Sequence, residues 1–207
     1  MSFFDFFRSI FIGISVAAIP GPIFFELVRR TLSRGFTFGS LLSVGEFFGN
    51  FLLLSLIFLG VSNFFTQTIV QETLFLCGAG VLGFLAVSAL RLKRNDVEMS
   101  YSKTSKGGSS IVAGFLISLS SPIVVALWIS LSGSYLAKFT TSGVVFLHIF
   151  LIAFGIMLFY FGLATLLYLT RSRISPHYVV LLSKIFGLVL LGYSFYFLYQ
   201  LVRMILS

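Results

Sequence analysis

Six stretches of this chain, residues 9–28, 39–62, 68–90, 110–137, 143–170 and 177–202, are apolar almost throughout. A helix rising 1.5 Å per residue needs roughly 20 apolar residues to cross a hydrocarbon core of about 30 Å. Each stretch meets that length, so the sequence predicts an all-α membrane protein of six transmembrane helices. Composition agrees, with 58% hydrophobic and 10% charged residues, where soluble domains carry about a quarter charged. The spans leave little of the 207 residues for anything else, and one compact bundle over residues 1–207 is expected. The apolar N-terminus has neither a basic flank nor a small-residue cleavage pattern, so it reads as a first span rather than a removed signal.

The net charge of +8 is distributed as topology rather than as a nucleic-acid footprint. Arg29, Arg30 and Arg34 follow the first span; Arg91, Lys93, Arg94, Lys103 and Lys106 follow the third; Arg171 and Arg173 follow the fifth. The connection after span 2 has no basic residue, and that after span 4 has Lys138 alone. Basic loops stay on the cytoplasmic side, so both termini are expected outside, with Arg8 and Arg203 weakly opposed. Cys77 is the single cysteine, which excludes an intramolecular disulfide and counts against a thiol–disulfide conductor, whose chemistry needs a pair.

The polar segment "RLKRNDVEMSYSKTSKGGSS" divides the chain. It gives a first repeat at about 1–92, a cytoplasmic loop at about 93–109 and a second repeat at about 110–207. Three spans per half make any internal repeat inverted. Pro20 and Pro22 lie about a dozen residues into span 1, and Pro122 about a dozen into span 4. The third spans also correspond, "GAGVLGF" with Gly78 and Gly83 against "GLVLLGY" with Gly187 and Gly192. Interrupted helices at matching places in two halves point to a transporter binding site.

The stretch "AAIPGPIFFELVRR" raises the local question. Pro20, Pro22 and Pro122 cannot donate to the carbonyls of Val16, Ala18 and Ser118, and freed carbonyls in hydrocarbon need protein, side chains or water. Ser118, Ser120 and Ser121 are candidates in span 4. A simple proline kink is the plain alternative for one proline; Pro-Gly-Pro with a matching break favours a built opening, at which Gly21 lets another group approach the backbone.

Glu46 lies about seven residues into span 2, roughly 10 Å deep. A charge there costs several kcal/mol unless partnered or protonated, so it is a functional candidate by default. Asn50 follows on the same face at i+4. Gly45 and Gly49 have the spacing that lets another backbone come close, and span 1 is the expected neighbour. A protonated Glu46 serving structure alone is the competing reading. Glu26 stands at salt-bridge spacing from Arg29 and Arg30, either as an interfacial ion pair or as a carboxylate on the cytoplasmic side of the pathway. His148 is a candidate proton relay or a structural residue near a helix start. Lys184 can snorkel to the cytoplasmic face, while Trp128, Tyr160, Tyr193 and Tyr196 could line a pathway but read first as lipid-facing or helix-packing residues. Nothing in the sequence marks a P-loop, a His/Cys cluster or a nucleophile–base pair, so neither an enzyme nor a cofactor is expected.

Taken together, "PGP", "RGFTFG", "GEFFGN" and Gly60 resemble the N-terminal signature of the lysine exporter (LysE/RhtB) family. The likeness continues through span 3, the proline of span 4 and the paired glycines of span 6. Ser121-Pro122 stands where the family has Asn-Pro, Ile123 where a lysine often follows, and Val81 where a tyrosine is common. Asn50 stands where many members are acidic. The resemblance implies outward transport of amino acids or related small polar solutes, driven by an ion gradient, with H+ as the expected coupling ion and no nucleic-acid partner. A homo-oligomer is compatible with it. On this reading the breaks, with Ser121 and the polar and small residues of span 2, form the substrate and ion pathway. A non-transporting structural or interaction protein in the bilayer, and a metal-cation exporter, are the alternatives; two carboxylates and a histidine are a thin ligand set for the latter.

Overall fold

The computed structural model describes residues 3–65, 67–95, 97, 108–139, 141–171 and 173–206. Most of the polar loop, with Lys103 and Lys106, therefore lies outside the described residues. The described chain is helical: α1 (Phe3–Ala17), α2 (Pro22–Arg34), α3 (Phe36–Leu56), α4 (Ser62–Phe65), α5 (Thr68–Leu90), α6 (Gly108–Leu119), α7 (Pro122–Ser134), α8 (Ser142–Arg171) and α9 (Pro176–Leu206). Among the described residues, four helices are long and apolar enough to cross a membrane. The count rises to six if α1 with α2, and α6 with α7, each make one broken span.

The breaks fall where the prolines put them, and they are larger than kinks. The axis turns by 79° between α1 and α2 and by 64° between α6 and α7. Pro22 and Pro122 each open the second helix of a pair, at a position where the missing N–H has no intrahelical acceptor to lose. Ahead of the second break, the Ser118 hydroxyl donates to the Phe115 carbonyl and that of Ser120 to Leu116. The serines therefore bond one turn back, rather than covering the Ser118 carbonyl. A further irregularity at Ile57–Val61 has Gly60 at φ +90°, in the left-handed region that glycine enters without a Cβ penalty.

Side-chain contacts sort the connections onto two faces. At one, Arg171 donates from Nε to the Leu32 carbonyl (2.8 Å) and from Nη2 to Ser33 (3.3 Å), covering the C-terminal carbonyls of α2. Arg30 Nη1 reaches Ser110 at the start of α6 (2.7 Å), and Val97 packs with Val28, Leu32 and Val179. The basic connections thus share this face. At the other, Phe58 meets Phe146, and Phe139 stacks on His148.

Packing between helices relies on glycine in a reciprocal way. A Cβ at Gly13 of α1 would run into the Ile152 carbonyl of α8, and one at Gly155 into the Ile10 carbonyl. Likewise Gly45 of α3 abuts the Ile111 carbonyl of α6, while Gly114 abuts that of Leu42. Small residues let membrane helices approach until dispersion and weak polar contacts hold them. The neighbour of Gly45 and Gly49 is therefore α6, the first half of span 4, and not span 1 as expected. Gly49 meets Ser118 and the Phe115 carbonyl. The outward surfaces carry exposed Phe84, Leu166, Leu188 and Phe195, side chains suited to lipid.

Candidate functional site

Both breaks open onto one cavity of about 220 Å³, lined by Pro20, Gly21 and Pro22 on one side and by Ser118, Ser121 and Ile123 on the other. The first turn-closing bonds of the second helices are Phe25 N–H to the Gly21 carbonyl and Val125 N–H to that of Ser121. The amides of residues 23, 24, 123 and 124 come before any such acceptor, so each helix start has donors without an intrahelical partner. The aligned peptides add positive partial charge there. Two such helix starts, α2 and α7, converge on the same space.

Glu46 and Asn50 enter this cavity from α3. Glu46 is the tenth residue after Phe36, on the order of 15 Å along the helix, deeper than the sequence count because α3 begins before residue 39. It is 6% exposed. Asn50 Nδ2 donates to its Oε1 over a long 3.4 Å, while Oε2 is buried with no hydrogen-bond partner. On the other side of Asn50, Oδ1 accepts from Trp128 Nε1 of α7 at 2.9 Å. Trp128, Tyr160 and Tyr193 also line the cavity, whereas Tyr196 is exposed and bonds Gln200.

Tyr160 is marked in the sequence by its spacing from a glycine. Gly155 stands to Tyr160 as Gly45 stands to Asn50, with Ile156 in the place of Glu46. All four of Glu46, Asn50, Ile156 and Tyr160 line the cavity. The hydrogen bond between Trp128 and Asn50 has no such mark, since 78 residues separate them.

Five of the sequence candidates, Glu26, His148, Gly45, Gly49 and Pro122, are not among the lining residues. Glu26 is completely buried and does not line the cavity. It accepts from Arg29 Nε (2.8 Å) and Nη2 (2.6 Å), and from Arg30 Nε. This buried ion pair joins α2 to α6 through Arg30 and Ser110. His148 is also fully buried, away from the cavity, with Nδ1 2.6 Å from Ser9 Oγ. That hydroxyl lies 2.9 Å from the Tyr135 hydroxyl, tying α1 to the end of α7 and the start of α8. Gly45 and Gly49 hold α3 against α6. Pro122 begins α7 between Ser121 and Ile123, both on the cavity wall.

The arrangement offers a small, mostly apolar space with an acceptor at one place and helix-start donors at two others. Among the described residues, no group of three or more His, Cys, Asp or Glu is placed to hold a metal ion.

The chain matches the LysE type translocator family over residues 14–201. It is 29% identical over 209 aligned residues to the Bacillus subtilis (strain 168) protein named "Putative amino acid efflux protein YcgF", covering 98% of this chain and 99% of that one. No solved structure matches it. With apolar helices of spanning length and a cavity at their two breaks, this multi-pass membrane protein belongs to the LysE type translocator family, and its work is transport rather than enzymatic catalysis.

Proposed function

We propose that the protein exports amino acids or related small polar solutes across the cytoplasmic membrane, coupled to the movement of protons. The observation that carries this reading is the pairing of Glu46 Oε2, buried and without a partner, with two helix starts in one cavity. A zwitterion needs an acceptor for its ammonium and donors for its carboxylate. Helix N-termini bind carboxylates through free N–H groups and the dipole, and transporters place such ends at their substrate sites. The name of the Bacillus subtilis relative agrees with this substrate class.

The architecture behind the reading is six spans in two inverted three-span repeats of a single domain. Supporting it is the packing exchange: α1 against α8 mirrors α6 against α3, each with glycines on both partners. The basic face would be cytoplasmic and both termini outside, on the charge asymmetry. A carboxylate in such a cavity takes a proton while one side is wet and releases it when the other side opens. Inverted membrane vesicles loaded by uptake of a panel of labelled amino acids, with and without a proton gradient, test the proposal. Gradient-dependent accumulation is expected, and its absence for every amino acid would overturn it.

A further inference from the structure

We propose that the cavity selects neutral, aliphatic α-amino acids and rejects those with a basic or acidic side chain. The inference rests on the amino-acid reading above and adds the identity of the side chain.

It follows from a charge inventory of the wall. Among the described residues, Glu46 is the single carboxylate that lines the space, and no lysine, arginine or histidine does. The Glu46 carboxylate, whose Oε2 is buried and unpartnered, takes the α-ammonium; the helix-start amides at 23 and 24, or at 123 and 124, take the α-carboxylate. The main-chain ends of the substrate then use the charge complementarity available. What is left for the side chain is mostly apolar, with Ile117, Val124, Leu127, Ile156 and Phe197, and its polar groups, Ser118, Ser121, Tyr160 and Tyr193 among them, are uncharged. A second ammonium or carboxylate would be desolvated against these groups with no counter-charge, the most unfavourable way to bury an ion.

The volume agrees. About 220 Å³ lies below the roughly 300–1,000 Å³ typical of sites for drug-sized ligands, and fits a solute of a few carbon atoms. An apolar wall discriminates weakly against one added hydroxyl, while a missing countercharge discriminates strongly. Threonine is therefore expected to follow valine closely, and lysine and glutamate to fall far behind leucine.

The test is counterflow in liposomes holding the purified full-length protein, reading exchange of internal labelled leucine against external valine, isoleucine, threonine, lysine, arginine, glutamate and aspartate. Neutral aliphatic solutes should exchange, with lysine, arginine, glutamate and aspartate lower by on the order of 10–100-fold. Comparable exchange of lysine or glutamate would overturn the selectivity and leave amino-acid export standing. No exchange with any amino acid would overturn both. In a second arm, Leu127→Glu supplies the missing carboxylate, and lysine exchange relative to leucine should rise by about tenfold or more. A monodisperse Leu127→Glu protein that still excluded lysine would overturn the assignment of rejection to the missing countercharge.

Discussion

Trp128 Nε1 donates to Asn50 Oδ1 at 2.9 Å, which fixes the amide of Asn50 so that its Nδ2 faces Glu46. One bond therefore joins the second half of a broken span to the helix bearing the cavity carboxylate. Trp128→Phe keeps an aromatic ring but removes the donor and part of the indole's volume, leaving a buried acceptor unpaired beside a small void. Stability should fall by about 1–3 kcal/mol, read as the melting temperature in detergent. Transport should fall more than the remaining folded fraction accounts for, because Asn50 is then free to turn from Glu46. Equal losses in both would reduce the bond to packing.

Glu46→Gln retains shape and hydrogen bonding but cannot titrate. Gradient-driven export by the variant should be lost in inverted vesicles, while yield and melting temperature stay near wild type. Exchange without a gradient separates the roles: it survives if Glu46 carries the proton and weakens if it holds the ammonium. Normal gradient-driven export would remove Glu46 from the mechanism.

Glycines on the two kinds of surface should respond oppositely to alanine. A Cβ at Gly45 or Gly114 meets backbone of the facing helix, whereas one at Gly80 or Gly162 meets nothing within 4 Å. Overpacking at Gly45→Ala or Gly114→Ala should cost about 1–3 kcal/mol. Gly80→Ala and Gly162→Ala should be neutral or gain up to about 1 kcal/mol of helix propensity. Thermal unfolding of all four in one detergent is the check, and equal melting points would contradict the packing.

Glu26→Gln should damage folding rather than selectivity. Removing the carboxylate leaves Arg29 and Arg30 buried with no counter-ion among the described residues, a change that costs about 3–5 kcal/mol in comparable buried pairs. The surviving folded protein should retain the wild-type order of substrate preference in counterflow. An unchanged melting temperature together with an altered order would move Glu26 into the pathway.

Orientation can be read with Phe65→Cys and Thr104→Cys in a Cys77→Ser background. An impermeant thiol reagent applied to intact cells should label position 65 and spare position 104. The reverse pattern would invert the protein in the membrane.

How much of this was legible beforehand follows a physical line. Spanning length, helix interruption and the shared face of Glu46 and Asn50 are properties of neighbours along the chain, set by apolar run length, by proline's missing N–H and by the helical repeat. The sequence by itself therefore determined a membrane bundle, both breaks and the polar pair of α3. It did not determine which face each helix turns to its partner. Helices such as α5, α7 and α8 are apolar nearly all round, so no polar–apolar stripe distinguishes the protein-facing side from the lipid-facing one. Close fit at small residues decides it instead, and that fit exists only between helices distant in the chain. The tertiary structure accordingly placed Gly45 and Gly49 against α6, brought Trp128 and Tyr160 to the cavity, and buried Glu26 between two arginines outside it.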